Sequence, residues 1–201
     1  MNLPNLLTIS RILLSPVFLI FMQFESFGWR LAATLIFVCA ALTDLADGYF
    51  ARRLGHQTGF GKFMDPLADK ILISTAFLSF IGLGYARDWM VVIIVVREFL
   101  VTGLRSMAAY KGAVIVPSML AKWKTAVQMT VISVIMAYGA MEPLLIQSNS
   151  ALLQIPEWTL PLFHWNYNLF DVIIFIPTVL SVWTGTDYLL KSGGLLKGML
   201  R

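Results

Sequence analysis

The chain has 201 residues, 58% of them apolar and 13% charged, with a formal net charge of +4. A soluble domain is about 45–50% apolar and about 25% charged, so this composition excludes a disordered chain and an ordinary water-soluble domain. It fits an all-α integral membrane protein, and the length suits one domain over residues 1–201. Excess Lys and Arg in such a chain reports orientation rather than a nucleic-acid partner. The single cysteine, Cys39, permits no internal disulfide.

A helix needs about 20 apolar residues to cross the hydrocarbon core. Six stretches meet that need: Leu6–Phe24, Leu31–Tyr49, Phe63–Leu83, Trp89–Met107, Trp123–Leu145 and Leu169–Leu189. Asn2 can cap a helix and Pro4 is tolerated in a first turn, so a short juxtamembrane helix is expected to open the chain. Arg11 ahead of an apolar run resembles a secretory leader, but no small-residue cleavage site follows, and the run is read as a span. Placing both termini in the cytoplasm puts 12 basic residues on that side (Arg11, Arg52, Arg53, Lys62, Lys70, Arg105, Lys111, Lys122, Lys124, Lys191, Lys197 and Arg201). Only Arg30 and Arg87 fall on the other side, and Arg97 is mid-span. The positive-inside rule thus orients the chain. The long extracytoplasmic loop Glu142–Asn168 has no Lys or Arg and carries Trp158, Trp165 and Tyr167, which suit a membrane interface. No gap between spans holds a soluble catalytic domain, so any chemistry belongs to residues in or beside the spans.

Four acidic residues gather where the second span ends and the third begins. Asp44 and Asp47 are three apart and Asp65 and Asp69 four apart, so each pair shares a helix face. Gly48, Ala51 and Arg52 continue the first face, and Gly61 opens the second. Facing carboxylates repel in a low dielectric unless protonated or neutralised. Two divalent cations would neutralise all four, and hard oxygen donors suit Mg²⁺ or Mn²⁺. Such a pair of ions clamps phosphoryl groups, and the Arg52 guanidinium can hold a phosphate in its fork. The alternative is that these aspartates only cap helices and pair with Arg52, Arg53, Lys62 and Lys70. The spacing and the flanking glycines weigh against it.

Asp44-Leu45-Ala46-Asp47-Gly48-Tyr49-Phe50-Ala51-Arg52, then eight residues, Gly61, three residues, Asp65, three residues and Asp69, resembles the full motif of the CDP-alcohol phosphotransferases. That family transfers a phosphatidyl or related group from a CDP-linked donor to an alcohol and releases CMP. The resemblance implies that Asp44, Asp47, Asp65 and Asp69 bind two metal ions and that Asp69 is also the general base for the acceptor hydroxyl. It implies that Gly48 and Gly61 leave room for cytidine beside Ala51, and that Arg52 holds the donor diphosphate. It further implies a homodimer. No Ser–His–Asp arrangement is needed, and His56 and His164 are read as a loop residue and an interfacial one.

A second cluster bears on the acceptor. Arg97 and Glu98 fall inside the fourth span, where a charge needs a partner or a polar cavity. Arg105 lies eight residues after Arg97, near the same face. Lys122 and Lys124 open the fifth span beside Thr125. Together these cations read as a pocket for an anionic acceptor, most simply a phosphate; positive-inside anchoring alone would explain the lysines but not mid-span Arg97. Lys70 is expected to reach the interface or an ion-pair partner rather than the site.

Arg97-Glu98-Phe99-Leu100-Val101-Thr102-Gly103-Leu104-Arg105, Lys122-Trp123-Lys124-Thr125 and Pro4-Asn5-Leu6-Leu7-Thr8-Ile9-Ser10-Arg11 resemble the branch of the family that makes phosphatidylglycerophosphate. That branch uses CDP-diacylglycerol and sn-glycerol 3-phosphate, and the resemblance implies that Arg97, Arg105, Lys122 and Lys124 bind the acceptor phosphate. One departure is Ala121, where the branch usually has Gly. The alternatives are another acceptor (inositol phosphate, serine or phosphatidylglycerol) or a cation transporter, which would spread polar residues through the membrane depth. A short chain without a transit peptide favours a bacterial inner membrane, with the site facing the cytoplasm.

Overall fold

The structure, a computed structural model, describes the backbone of residues 3–54, 59–110, 119–148, 158–160 and 165–199, and the side chains of residues 6, 8–43, 66–109, 119–148 and 168–190. Six helices are present among the described residues: α1 (Leu3–Met22), α2 (Phe27–Leu54), α3 (Gly59–Gly82), α4 (Asp88–Tyr110), α5 (Met119–Gln147) and α6 (Leu169–Met199). Each contains or closely overlaps one of the stretches expected from the sequence. There is no separate juxtamembrane helix, because α1 runs unbroken from Leu3. Pro4 falls in the first turn, where its missing N–H had no intrahelical acceptor to lose, so nothing interrupts the helix.

Between α5 and α6 lies an antiparallel ribbon of β1 (Trp158–Leu160) and β2 (Trp165–Tyr167), paired Trp158 to Tyr167 and Leu160 to Trp165. A helix-only reading omits it. Aromatic and β-branched residues favour the extended backbone here, but three residues per strand are too few to give a readable alternation.

Met119–Gln147 and Leu169–Leu190 are long and apolar enough to cross a membrane. Large apolar side chains also face outward on every helix: Leu13 is 64% exposed, Val96 56% and Trp183 63%. An apolar surface this extensive marks a membrane protein rather than a soluble one. The interior is built where α1 packs on α2 and α3, α4 on α3 and α6, and α5 on α2 and α6. Phe18, Phe37, Phe77, Phe80, Ile94, Ile132, Ile135 and Ile174 fill it. α2 and α3 touch each other less than each touches α1.

One end of the bundle is closed by a buried polar network. Arg30 is 5% exposed. It donates to Phe24 O (3.0 Å) and Gly139 O (3.1 Å) and is ion-paired with Glu142. The Tyr85 hydroxyl donates to Glu142 Oε2 at 2.6 Å. Burial, then this hydrogen bond, push the Tyr85 phenol well above its ordinary range. A Cβ on Gly139 would lie 2.9 Å from Met22 Cε and 3.3 Å from the Tyr85 ring, so the bare glycine leaves room for both side chains to pack against α5. Nearby, Asp171 N donates to Asn168 Oδ1 (2.9 Å) and Asn168 N to Asp171 Oδ2 (3.1 Å), a reciprocal cap on α6. Asn168 Nδ2 also donates to Gly84 O (3.2 Å), and Gly84 has φ +73°, a turn conformation that favours glycine.

Replacing one member of a buried ion pair strands the other, at a cost of about 3 kcal/mol or more. Arg30→Ala is therefore expected to lower the unfolding temperature of the detergent-solubilised protein. Tyr85→Phe, which removes the hydroxyl's bond to Glu142 and the longer one it accepts from Arg30, should cost about 1–2 kcal/mol. Thermal unfolding of both variants beside the parent checks the order of the two effects.

Candidate active site

The four aspartates of the motif fall on two helices. Asp44 and Asp47 lie toward the end of α2 with Gly48, Ala51 and Arg52, and Gly61, Asp65 and Asp69 lie in the first half of α3. The side chains of Asp44, Asp47, Ala51, Arg52 and Asp65 are outside those described, as are His56 and His164 altogether. Among the described residues no group of three metal-binding side chains is assembled. Asp69 is described. Its side chain is 32% exposed, and its Oδ2 lies 2.9 Å from Lys70 Nζ. It remains an accessible hard oxygen donor. A motif of carboxylates alone has the right donor chemistry for Mg²⁺ or Mn²⁺.

Beside Asp69 the helices enclose a cavity of about 440 Å³. Lys70 of α3, Arg97, Glu98 and Arg105 of α4, and Lys122 and Thr125 of α5 supply most of its polar lining. Arg97, Val101 and Arg105 recur every four residues, so one face of α4 forms a wall. Ala121, Thr125 and Met129 do the same on α5. The expectation that Arg97 and Arg105 share a face is met, and the Ala121 methyl sits in the wall of the cavity. Lys70 departs from expectation: it does find ion-pair partners, but it also lines the site. The reason is Glu98, whose Oε2 lies 3.3 Å from Lys70 Nζ and holds the ammonium inward.

Glu98 is the hub that the sequence reading left without a role. It is 2% exposed. Besides Lys70, it pairs with Arg97 (Oε1 to Nη1, 3.3 Å) and with Lys124. Its position in the middle of an apolar helix was the signal that could have found it. Lys124 is 1% exposed and is not among the side chains lining the cavity; its ammonium is given to Glu98. Arg97 is held from α6 as well, donating from Nη2 to Thr184 Oγ1 at 2.9 Å. A Cβ on Gly185 would come within 3.2 Å of Arg97 Cγ, so the bare glycine leaves room for that stem.

Four cationic side chains and one carboxylate thus line the cavity among the described residues. The Nε atoms of Arg97 and Arg105 are buried and have no acceptor among the described residues. Buried donors left over in this way are suited to a ligand's oxygens, and guanidinium forks match phosphate in particular.

A cavity lined by arginine and lysine beside Asp69, in a helical membrane bundle, has the chemistry to hold phosphate groups. The chain belongs to the CDP-alcohol phosphatidyltransferase family, whose pattern matches residues 1–165. It is 34% identical over 209 residues to the CDP-diacylglycerol–glycerol-3-phosphate 3-phosphatidyltransferase of Bacillus subtilis, covering 98% of this chain and 97% of that protein. It is 40% identical over 134 residues to the protein of that name from Rickettsia bellii, covering 67% and 74%. With the one from Pseudomonas fluorescens it is 36% identical over 144 residues, covering 68% and 73%.

Arg105→Gln removes the guanidinium and its charge from the wall and leaves a shorter polar side chain. A hydrogen bond to a charged group is worth about 1.5–3 kcal/mol, so the variant should bind inorganic phosphate about ten- to a hundred-fold more weakly. Calorimetric titration of the purified protein reads this directly.

Proposed function

We propose that this chain transfers the phosphatidyl group of CDP-diacylglycerol to sn-glycerol 3-phosphate, giving phosphatidylglycerophosphate and CMP. The observation that carries the reading is the cation-walled cavity joined to Asp69 through Lys70. An acceptor that is itself a phosphate monoester gives these cations a ligand, which serine would not. Relatives of that name, one matched along nearly its whole length, support it.

In this reading Arg97, Arg105 and Lys122 hold the acceptor phosphate, with Lys124 behind them supporting Glu98. Asp69 takes the proton from the acceptor hydroxyl as that oxygen attacks the phosphorus bearing diacylglycerol. The new P–O bond forms in line with the breaking bond to CMP, which leaves with the bridging oxygen. Arg52 holds the donor diphosphate, and Gly48, Ala51 and Gly61 form the wall around cytidine. Asp44, Asp47, Asp65 and Asp69 would hold two divalent ions, Mg²⁺ or Mn²⁺, which when bound supply charge neutralisation for the pyrophosphate. The chain is read as one domain crossing a bacterial inner membrane six times, with both termini and the active site cytoplasmic, and pairing as a homodimer. Arg30 and Arg87, the two basic residues assigned outside, are each ion-paired with a carboxylate, Glu142 and Asp171.

The decisive assay is CMP release by purified protein from CDP-diacylglycerol with Mg²⁺. Release should require glycerol 3-phosphate, stop on chelation, and fall by at least about a hundred-fold in Asp69→Asn, the usual weight of a general base. Release driven instead by serine or inositol phosphate would overturn the acceptor.

The orientation has its own test. In a Cys39→Ser background, Ser26→Cys should react with a membrane-impermeant maleimide on intact cells. Ala109→Cys should react only after lysis. The opposite pattern would invert the topology.

A further inference from the structure

We propose that Glu98 is a positioning residue for the transfer: its buried carboxylate holds Lys70 between Asp69 and the acceptor cavity. The inference rests on the reaction proposed above and assigns work to a residue that touches no substrate in it.

The geometry is a relay of charges across three helices. Asp69 Oδ2 is 2.9 Å from Lys70 Nζ, and Lys70 Nζ is 3.3 Å from Glu98 Oε2. The other Glu98 oxygen takes Arg97 and Lys124. Glu98 thus fixes one cation from α3, one from α4 and one from α5. With both oxygens occupied by cations and only 2% of the residue exposed, it has no free oxygen to accept a proton from substrate. Nor does its charge assist acceptor binding. A carboxylate in the wall of an anion cavity repels the anion. What it does is hold an ammonium that would otherwise be repelled by Arg97 and Lys124, and keep it against Asp69. Asp69 in turn is fixed relative to the acceptor phosphate bound a few side chains away.

The consequence separates positioning from binding and from simple folding. Glu98→Gln removes a repulsive charge from the anion cavity, so KM for glycerol 3-phosphate should stay level or fall. Misplacing the reacting groups by about 1 Å costs on the order of a hundred-fold, so kcat should drop by about that factor. Lys70→Met should lower kcat as well. The double variant should be no worse than the more damaging single one, because residues acting as a unit do not add. These steady-state measurements use the full-length protein in detergent with CDP-diacylglycerol, Mg²⁺ and glycerol 3-phosphate, on variants that remain monodisperse with an intact thermal transition. If Glu98→Gln does not fold, Glu98→Asp takes its place; it keeps the charge, shortens the reach by one methylene, and is expected to lower kcat with KM unchanged. Unchanged kcat, a rise in KM alone, or strictly additive losses in the double variant would each overturn the role of Glu98. A wild type that releases no CMP with glycerol 3-phosphate would instead overturn the reaction on which the inference rests.

Discussion

A carboxylate in the middle of an apolar helix is the constraint from which most of this structure follows. Desolvating an isolated charge costs several kcal/mol even after relaxation, so Glu98 is stable in α4 as a carboxylate only if cations come to it. They come from three directions: Lys70 on α3, Lys124 on α5 and Arg97 one residue back. Meeting that need draws three helices together at one depth. Two further cations, Arg105 and Lys122, line the opening beside them. The cavity is thus a by-product of neutralising Glu98 with more positive charge than one carboxylate requires. The excess is available to a phosphate.

The other end of the bundle solves the same problem without leaving an excess. Arg30 meets Glu142, and its other donors reach backbone carbonyls of Phe24 and Gly139. Tyr85 completes the Glu142 shell, and Arg87 lies against Asp171. Both arginines at this end thus have a carboxylate across helix ends and connecting turns. That is the pattern of a structural clasp. A buried network whose members are satisfied rigidifies what it joins. One whose donors are left over, as with Nε of Arg97 and Arg105, is prepared for a ligand.

The helices were legible in the sequence because long apolar runs carry a strong signal. Their full extents were less so. α2 and α6 run on to Leu54 and Met199 through polar residues that hydropathy alone would cut off. The β1–β2 ribbon was invisible for the opposite reason, being too short to show a period. In the site, Arg97 and Arg105 were placed together by helical periodicity, a local property. The fates of Lys70 and Lys124 were not readable that way. Each turns on the position of Glu98 on another helix, and contacts between helices leave no trace in spacing along one of them. Lys124 looked like its neighbour Lys122, yet one is buried on Glu98 and the other stands exposed in the cavity wall.

That division of labour among the cations bears on how a membrane enzyme can accept one lipid and one soluble anion. Positive charge enough to attract a phosphate monoester would, if all of it were free, also compete for the carboxylate motif on α2 and α3. Tying Lys124, Arg97 and Lys70 to Glu98 limits this. Among the described residues Lys70 is the cation that reaches Asp69, and it does so while shared with Glu98. In the proposed reading the cavity stays positive enough for an anion, while the acidic motif keeps oxygens for divalent ions. Two sites of opposite charge can then stand side by side at one end of a single bundle, within reach of a donor held in the bilayer and an acceptor arriving from water.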